Sequence, residues 1–406
     1  MGSMDFDGVG RRDVLKYGGT VAATGFLAGC STETADDPES SDTGSESESP
    51  GTENKTEVDP GSEADEDSES DSYTVEMAPV GEVEFDEPPE RVTHYFPDYG
   101  DMAVALGQGD SIVAMGVVSR FHTDHYDELD DVSVDTESMT ELYAEGGIDR
   151  EIFFELDSDL NMIDPAWLTS NDFFGIDESD VEELRTRQAP FIGNTIFRRT
   201  DDWHDYEYYT LYEAFEKVAK VHQETERFTR LKTVHDELLD RVQSELPPEE
   251  DRPNALLTFA AADQPEAFYP YRVSDSGTNN KQYHDLGISD ALAGTGIEGL
   301  STTDRGQIDY ETILGVDPDS ILVRGHEDKS RQEFVDTVLA FMQEDDVASQ
   351  LTAVQNEQVF RGGPIYPGPL HNLFLTERYA TLYFPETFSG ELFDRDRVAA
   401  IVDGDA

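Results

Sequence analysis

Several things are scarce in this chain, and each scarcity removes a class of explanation. There is one cysteine in 406 residues, Cys30. No disulfide can therefore form within the chain, and its fold must rest on packing. There are 28 basic residues against 90 acidic ones, a net charge of −62, and lysine is rare among the 28. A phosphate backbone needs a basic surface, so nucleic acid is excluded as a partner. No apolar run reaches the ~20 residues needed to cross a ~30 Å hydrocarbon core. No Ser-His-Asp order, glycine-rich phosphate loop or zinc-ligand spacing stands out, so an enzyme is not indicated. Abundant carboxylate with little lysine instead suits a surface bathed in very concentrated salt, where a Debye length of ~3 Å or less screens self-repulsion.

What is present begins at the N-terminus. The stretch RRDVLKYGGTVAATGFLAGC joins the pair Arg11 and Arg12 to a short Gly/Ala-rich apolar run ending in Leu27-Ala28-Gly29-Cys30. It resembles a twin-arginine lipoprotein signal over residues 1–30, with Cys30 as the lipidated first residue of the mature protein. Residues 31–72 carry 16 acidic residues and one lysine, with almost no apolar side chains. Such a segment cannot offset its ordering entropy, so it is expected to be a disordered tether. The expected arrangement is a folded head on the outer face of the cell membrane, held there by lipid.

The head shows strand-helix-strand patterning, which implies an α/β fold with doubly wound parallel sheets. Residues 73–86 read as a short hairpin broken at Pro79-Val80-Gly81. Candidate strands follow at Val92 to Phe96, Ile112 to Val117, Leu160 to Ile163, Ala255 to Phe259 and Ile321 to Val323. The sequence also repeats itself. IDREIFFELDSDLNMI (148–163) returns as IDYETILGVDPDSILV (308–323), with Asp149, Glu151, Asp157 and Asp159 matched by Asp309, Glu311, Asp317 and Asp319. An offset of 160 residues is too long for a solenoid repeat, whose period is roughly 20–50. It suits two similar lobes, here 73–209 and 249–406, each with one helix-turn-strand unit. Between them, residues 210–248 have helical spacing of apolar positions, read as a rod joining the lobes. The apolar stripe breaks at His222 to Thr225.

PPERVTHYF, DMAVALGQGDSIVAMG, both copies of the repeat, and LTAVQNEQVFRGG before YFPETF together resemble the solute-binding proteins of ABC importers for iron-siderophore, haem and cobalamin. The pieces occur in family order over most of residues 73–390. The resemblance implies two Rossmann-like lobes joined by a single long α-helix, with ligand in the cleft between them. It implies a membrane permease with its ATPase as partner, and a monomeric binding protein. It also implies that Glu151 and Glu311, one per lobe, meet arginines of that permease. Ser158 stands where the family motif usually has proline. Ordinary helix-start carboxylates would look the same at Glu151 and Glu311.

Ligands of open α/β sheets bind beyond the carboxyl ends of the strands. That rule selects Tyr95, Tyr99, Arg120, Trp167, Arg198 and Arg199 in the first half of the head. In the second half it selects Tyr269, Tyr271, Arg272, Arg324 and Tyr366. Arginine is informative in so acidic a chain. Arginines at strand ends beside aromatic rings suit an anionic ferric chelate, with haem or cobalamin as alternatives. His122 and His125 have His-x-x-His spacing, but no third ligand is in register for a metal. A surface-tethered enzyme, sensor or adhesion module is the reading from another class, and would not need the paired glutamates. No catalytic residue and no resident cofactor are expected.

Overall fold

A computed structural model describes residues 72–144, 146–297 and 306–405. The signal, Cys30 and the acidic stretch 31–71 lie outside the described residues.

Two parallel sheets organise the chain. In the first, the spatial order is Thr140–Glu141, Ile112–Met115, Val92–His94, Leu160–Met162, every neighbouring pair parallel, and Asn161 adds a parallel bridge to Phe191. Every residue of Val92–His94 and Leu160–Met162 is buried, as parallel strands covered on both faces require. The winding reverses between these two strands, which makes their carboxyl ends the topological switch point. In the second sheet, Asn254–Phe259 and Ser320–Arg324 form the parallel centre. Val359–Arg361 lies parallel at one edge, and Tyr269–Tyr271 (antiparallel) and Ser289–Asp290 (parallel) share the other. The expected hairpin forms from Tyr73–Met77 and Gly81–Phe85.

The repeated aspartates do matching work in both sheets. Asp157 and Asp317 end their short helices, Glu151–Leu156 and Tyr310–Val316, in the left-handed region, with φ of 50° and 46°. A short polar side chain tolerates that conformation better than a branched or apolar one. Two residues later, Asp159 accepts from the backbone amides of Glu90 and Arg91, at 3.0 and 2.9 Å, just before the first sheet's central strand. Asp319 accepts from the backbone amide of Asn254, at 3.0 Å, where the second sheet's central strand begins. Each thus pins its own strand to the parallel neighbour. Asp309 caps its helix through the Thr312 amide, whereas Asp149 holds the amide of Glu151.

The connection between the sheets differs from the expected single rod. It is two helices, Leu211–Val221 and Thr225–Glu245, separated by a turn in which Gln223 has φ of 57°. The interruption falls where the apolar stripe lapses. Thr210 and Glu213 form a capping box that starts the first helix, a device that satisfies two otherwise unpaired amides. Arg227 of the second helix donates to the Leu106 carbonyl at the end of the first lobe's helix Pro97–Ala105. Both connecting helices also pack against Pro97–Ala105, so they lie along the folded head.

The closing helix, Pro369–Tyr383, packs on that same helix Pro97–Ala105. Asp101 joins them. Its Oδ2 accepts from the amides of Leu370 (2.8 Å) and His371 (3.2 Å), while Oδ1 accepts from Tyr126 Oη (2.6 Å) and faces His125 Nε2 (3.2 Å). A carboxylate at a helix N-terminus meets the unpaired amides and the positive end of the dipole. Asp101 is buried, so its donors have no water to replace it. Asp101→Ala should cost on the order of 3 kcal/mol, because several buried donors lose their acceptor together. Urea unfolding at fixed salt checks this, and a loss under 1 kcal/mol would contradict the linking role.

Candidate functional site

The strand Val92–His94 delivers Tyr95 and Phe96 to the switch point, and Pro97 then opens a helix. On the neighbouring strand's exit, Asp164 is buried and caps the short helix Pro165–Thr169 through the Ala166 amide (3.0 Å). Its other oxygen accepts from the Thr195 amide (2.8 Å), from Thr195 Oγ1 (2.7 Å) and from the Tyr206 hydroxyl. Burial raises the Asp164 carboxyl, and these donors oppose the rise. The carboxylate so held fixes the helix that carries Trp167.

The result is an aromatic wall. Trp167 lies 6.0 Å from Tyr95, 5.2 Å from Phe96, 5.6 Å from Phe174 and 5.6 Å from Phe197, ring centre to ring centre. From the second lobe's Arg-Gly-Gly-Pro-Ile-Tyr-Pro-Gly segment, Tyr366 reaches across and packs on Phe96 (5.3 Å) and Phe197 (4.8 Å). Tyr95, Trp167, Phe174, Phe197 and Tyr366, with Phe96 behind them, border a cavity of about 300 Å³ that also touches Arg120, Tyr143, Arg198, Tyr271 and Asn279. Residues of both lobes therefore line it. Arg120 and Tyr366 also line an adjoining chamber of about 380 Å³ that contains Arg324 and His122. His122, Glu327 and Asp328 are shared in turn with a more polar chamber of about 560 Å³.

The cations of this cleft differ in how far they are already engaged. Arg198 spans Asp201 with two bonds, of 2.7 and 2.8 Å, while stacking over Trp167 and Phe197. Arg324 is almost completely buried. It donates to the carbonyls of Gly362 (3.2 Å) and Asn279 (2.6 Å) and lies 5.0 Å from the Tyr271 ring centre. Arg120 is exposed, and among the described residues its guanidinium meets only the Tyr366 hydroxyl, at 3.4 Å, with no carboxylate within 4.0 Å. It is the cation with most capacity left for an anionic ligand. Burial raises both the Tyr95 and Tyr366 phenols, so the rings offer neutral, apolar faces.

Six of the residues chosen from strand ends thus meet in one cavity: Tyr95, Arg120, Trp167, Arg198, Tyr271 and Tyr366. Arg324 adjoins it. The others lie elsewhere. Tyr99 is in the core, its hydroxyl donating to the Asn194 carbonyl (2.9 Å) and accepting from the Asn194 amide (3.1 Å). Arg199 is exposed and stacks over Tyr208. Arg272 donates to the Leu292 and Ile297 carbonyls and approaches Asp290. Tyr269 sits on the edge strand. His125 stacks on His371 at 4.1 Å and faces Asp101. Among the described residues no group of three or more His, Cys, Asp or Glu side chains is placed to hold a metal ion. Phe96, Phe173, Phe174 and Asn279 line or support the cavity without having been selected. Of the adjacent pair before Gly175, Phe174 is buried in the core while Phe173 is 46 % exposed, and no sequence pattern distinguishes the two.

The family profile described as periplasmic binding protein matches residues 92–366. The chain belongs to that family. Solved structures agree in fold. A heme binding protein, HmuT, is 17 % identical with a TM-score of 0.52, the match covering 77 % of this chain and 90 % of that one. CeuE of Helicobacter pylori with Ni(II) bound is 16 % identical with a TM-score of 0.50, over 82 % and 96 %. A periplasmic binding protein of Veillonella parvula is 13 % identical with a TM-score of 0.51, over 77 % and 97 %. No curated protein matches significantly. In this family member, the cavity between the sheets coincides with the switch point where open α/β sheets hold their ligands.

One buried acid underlies the cleft. Asp98 follows Phe96-Pro97, is fully buried, and has one oxygen without a partner among the described residues. Burial pushes its carboxyl up to about 8, with Asp101 adding to the rise. The folded protein therefore keeps a proton that the unfolded chain loses near pH 4, so this group's contribution to stability falls as pH rises from about 4 to 8. Buried His94, His222 and His235 are held down at about 3, 4 and 4, and act in the opposite sense only below pH 6.5. Asp98→Asn should remove the loss of stability between pH 6.5 and 8. Thermal melts across that range check it, and an unchanged slope would contradict the assignment.

Proposed function

We propose that this chain is the solute-binding component of an ABC importer, capturing an anionic ferric chelate between its two sheets and handing it to a membrane permease. The observation that carries the reading is the cleft itself: an aromatic wall built from both lobes, with Arg120 lining it and, among the described residues, no carboxylate within 4.0 Å of its guanidinium. Flat apolar rings suit the organic frame of a chelate, and an uncommitted guanidinium suits its negative charge. A net charge of −62 makes that choice pointed, since an anion must find a locally cationic place on an acidic protein. The role is binding rather than catalysis. Lipidated Cys30 would hold the protein at the outer face of the membrane after export by the twin-arginine route, and the tether would give the head its reach.

Glu151 and Glu311 are the proposed docking residues. Both are exposed, and both stand in the first turn of the repeated helices. Matching carboxylates on related units suit a permease made of related halves. In molar salt, long-range steering is screened, so short charge-assisted contacts must carry the interaction.

The two tryptophans, Trp167 and Trp203, lie 6.0 Å apart beside the cavity, which makes fluorescence a direct reporter. Titration in molar salt with ferric siderophores should give a saturable, selective response. Selectivity for haem or cobalamin would keep the transport role and change the ligand, and no response to any of them would contradict the role. Arg120→Ala should weaken ferric chelate binding by about tenfold or more, roughly 1.4 kcal/mol. Combining Glu151→Lys with Glu311→Lys should abolish cellular uptake at unchanged affinity, and normal uptake by that double variant would refute the docking role.

A further inference from the structure

The second lobe carries another cavity, on the far side of Arg361 and Arg378 from the polar chamber of the cleft. It has a volume of about 180 Å³ and lies between the edge strand Val359–Arg361, the closing helix and the helical run from Arg331 to Glu344. That run is not regular. Val335–Leu339 form a five-residue π turn between two α-helical pieces, a distortion frequent at functional sites. The floor is apolar, from Phe334, Leu339, Phe360 and Leu382, and the rim holds Arg331, Arg361 and Arg378, with Glu357 as the one acidic lining residue.

Three of the chain's 28 basic residues converge on this small space, and they are incompletely neutralised. Arg378 pairs with buried Glu327 at 2.8 Å. Arg361 donates to the backbone carbonyls of Lys329 and Glu327, and among the described residues no carboxylate lies within 4.0 Å of its guanidinium or that of Arg331. Burial lowers the Arg361 guanidinium, and Arg378 beside it adds to that effect. Among the described residues, then, two arginines with no carboxylate in ion-pair reach, Arg331 exposed and Arg361 more buried, border an apolar hollow and have room for an anion.

We propose that this slot binds a small amphipathic anion, an aliphatic monocarboxylate whose chain fills the apolar floor and whose carboxylate meets Arg331 and Arg361. An apolar cavity of ~150 Å³ takes up a molecule the size of benzene, so there is room for a chain of roughly six to eight carbons. Arg361 and Arg378 also line the polar chamber of the cleft, so an occupant here would touch residues shared with that chamber. The site is separate from the aromatic cavity and does not rest on the transport reading.

The test uses sodium octanoate with the full chain in molar sodium chloride, followed by saturation-transfer NMR and calorimetry. Saturable binding is expected. Arg331→Glu should weaken it tenfold or more, and Leu382→Trp, which fills the slot, should abolish it in protein whose circular dichroism is unchanged. Ferric chelate titration in Arg331→Glu should be unaltered, which separates this site from the cleft. Absence of saturable binding, or binding that survives both substitutions, would overturn the proposal. So would equal binding of neutral 1-octanol, since the anion would then contribute nothing.

Discussion

The structure turns on a buried carboxylate. Asp101 collects donors from the helix Pro369–Tyr383 and from the helical turn Asp124–Glu128, and so ties that helix of the second lobe to the first lobe. A buried charge is tolerable only when its partners are close and oriented, so the three segments must arrive together. Gly368 shows how tight this is. A Cβ there would lie 2.4 Å from the Asp101 side chain. The segment from Gly362 to Gly368 is therefore held at its far end, and Tyr366 on that segment is the second lobe's main contribution to the aromatic wall. Packing energetics and the shape of the cleft are in this sense one problem.

On the proposed reading, the cleft keeps a place for an anion in an extremely acidic protein. Most of its arginines near the site are committed: Arg198 to Asp201, Arg378 to Glu327, Arg324 to backbone carbonyls. Commitment fixes aromatic neighbours through stacking, as Arg198 does over Trp167 and Arg324 over Tyr271, but leaves little charge to offer. Arg120, at the end of the helical turn Val118–Arg120, keeps its charge available because among the described residues no carboxylate lies within 4.0 Å of it. Recognition and scaffolding are thus divided among residues of one type by the company each keeps.

Much of this was legible in the sequence, for identifiable reasons. The repeat announced two related units because Asp157, Asp159, Asp317 and Asp319 are each needed for a backbone task that few other residues perform. Strand exits singled out Tyr95, Trp167 and Tyr366, which line one cavity because a parallel sheet gathers the ends of distant strands. The connecting segment was overextended into one rod. Helical periodicity continues on both sides of His222 to Thr225, and only the turn at Gln223 separates the halves. Tyr99 and Arg272 could not be assigned from position alone. Whether a side chain one turn beyond a strand faces the cleft or the core depends on packing partners such as Asn194 and Ile297 that lie far away in the chain.

The central proposal is that a metal chelate is held between the two sheets, against the wall of Tyr95, Trp167, Phe197 and Tyr366 with Arg120 at its charge. Anomalous diffraction at the iron edge, from crystals grown in molar salt with a ferric siderophore, locates the metal without reference to any assumed pose. The account predicts one strong peak in the cavity shared by these residues, with the chelate's acidic groups toward Arg120. A peak outside the cleft, or an empty cleft in crystals grown with the chelate in excess, would contradict it.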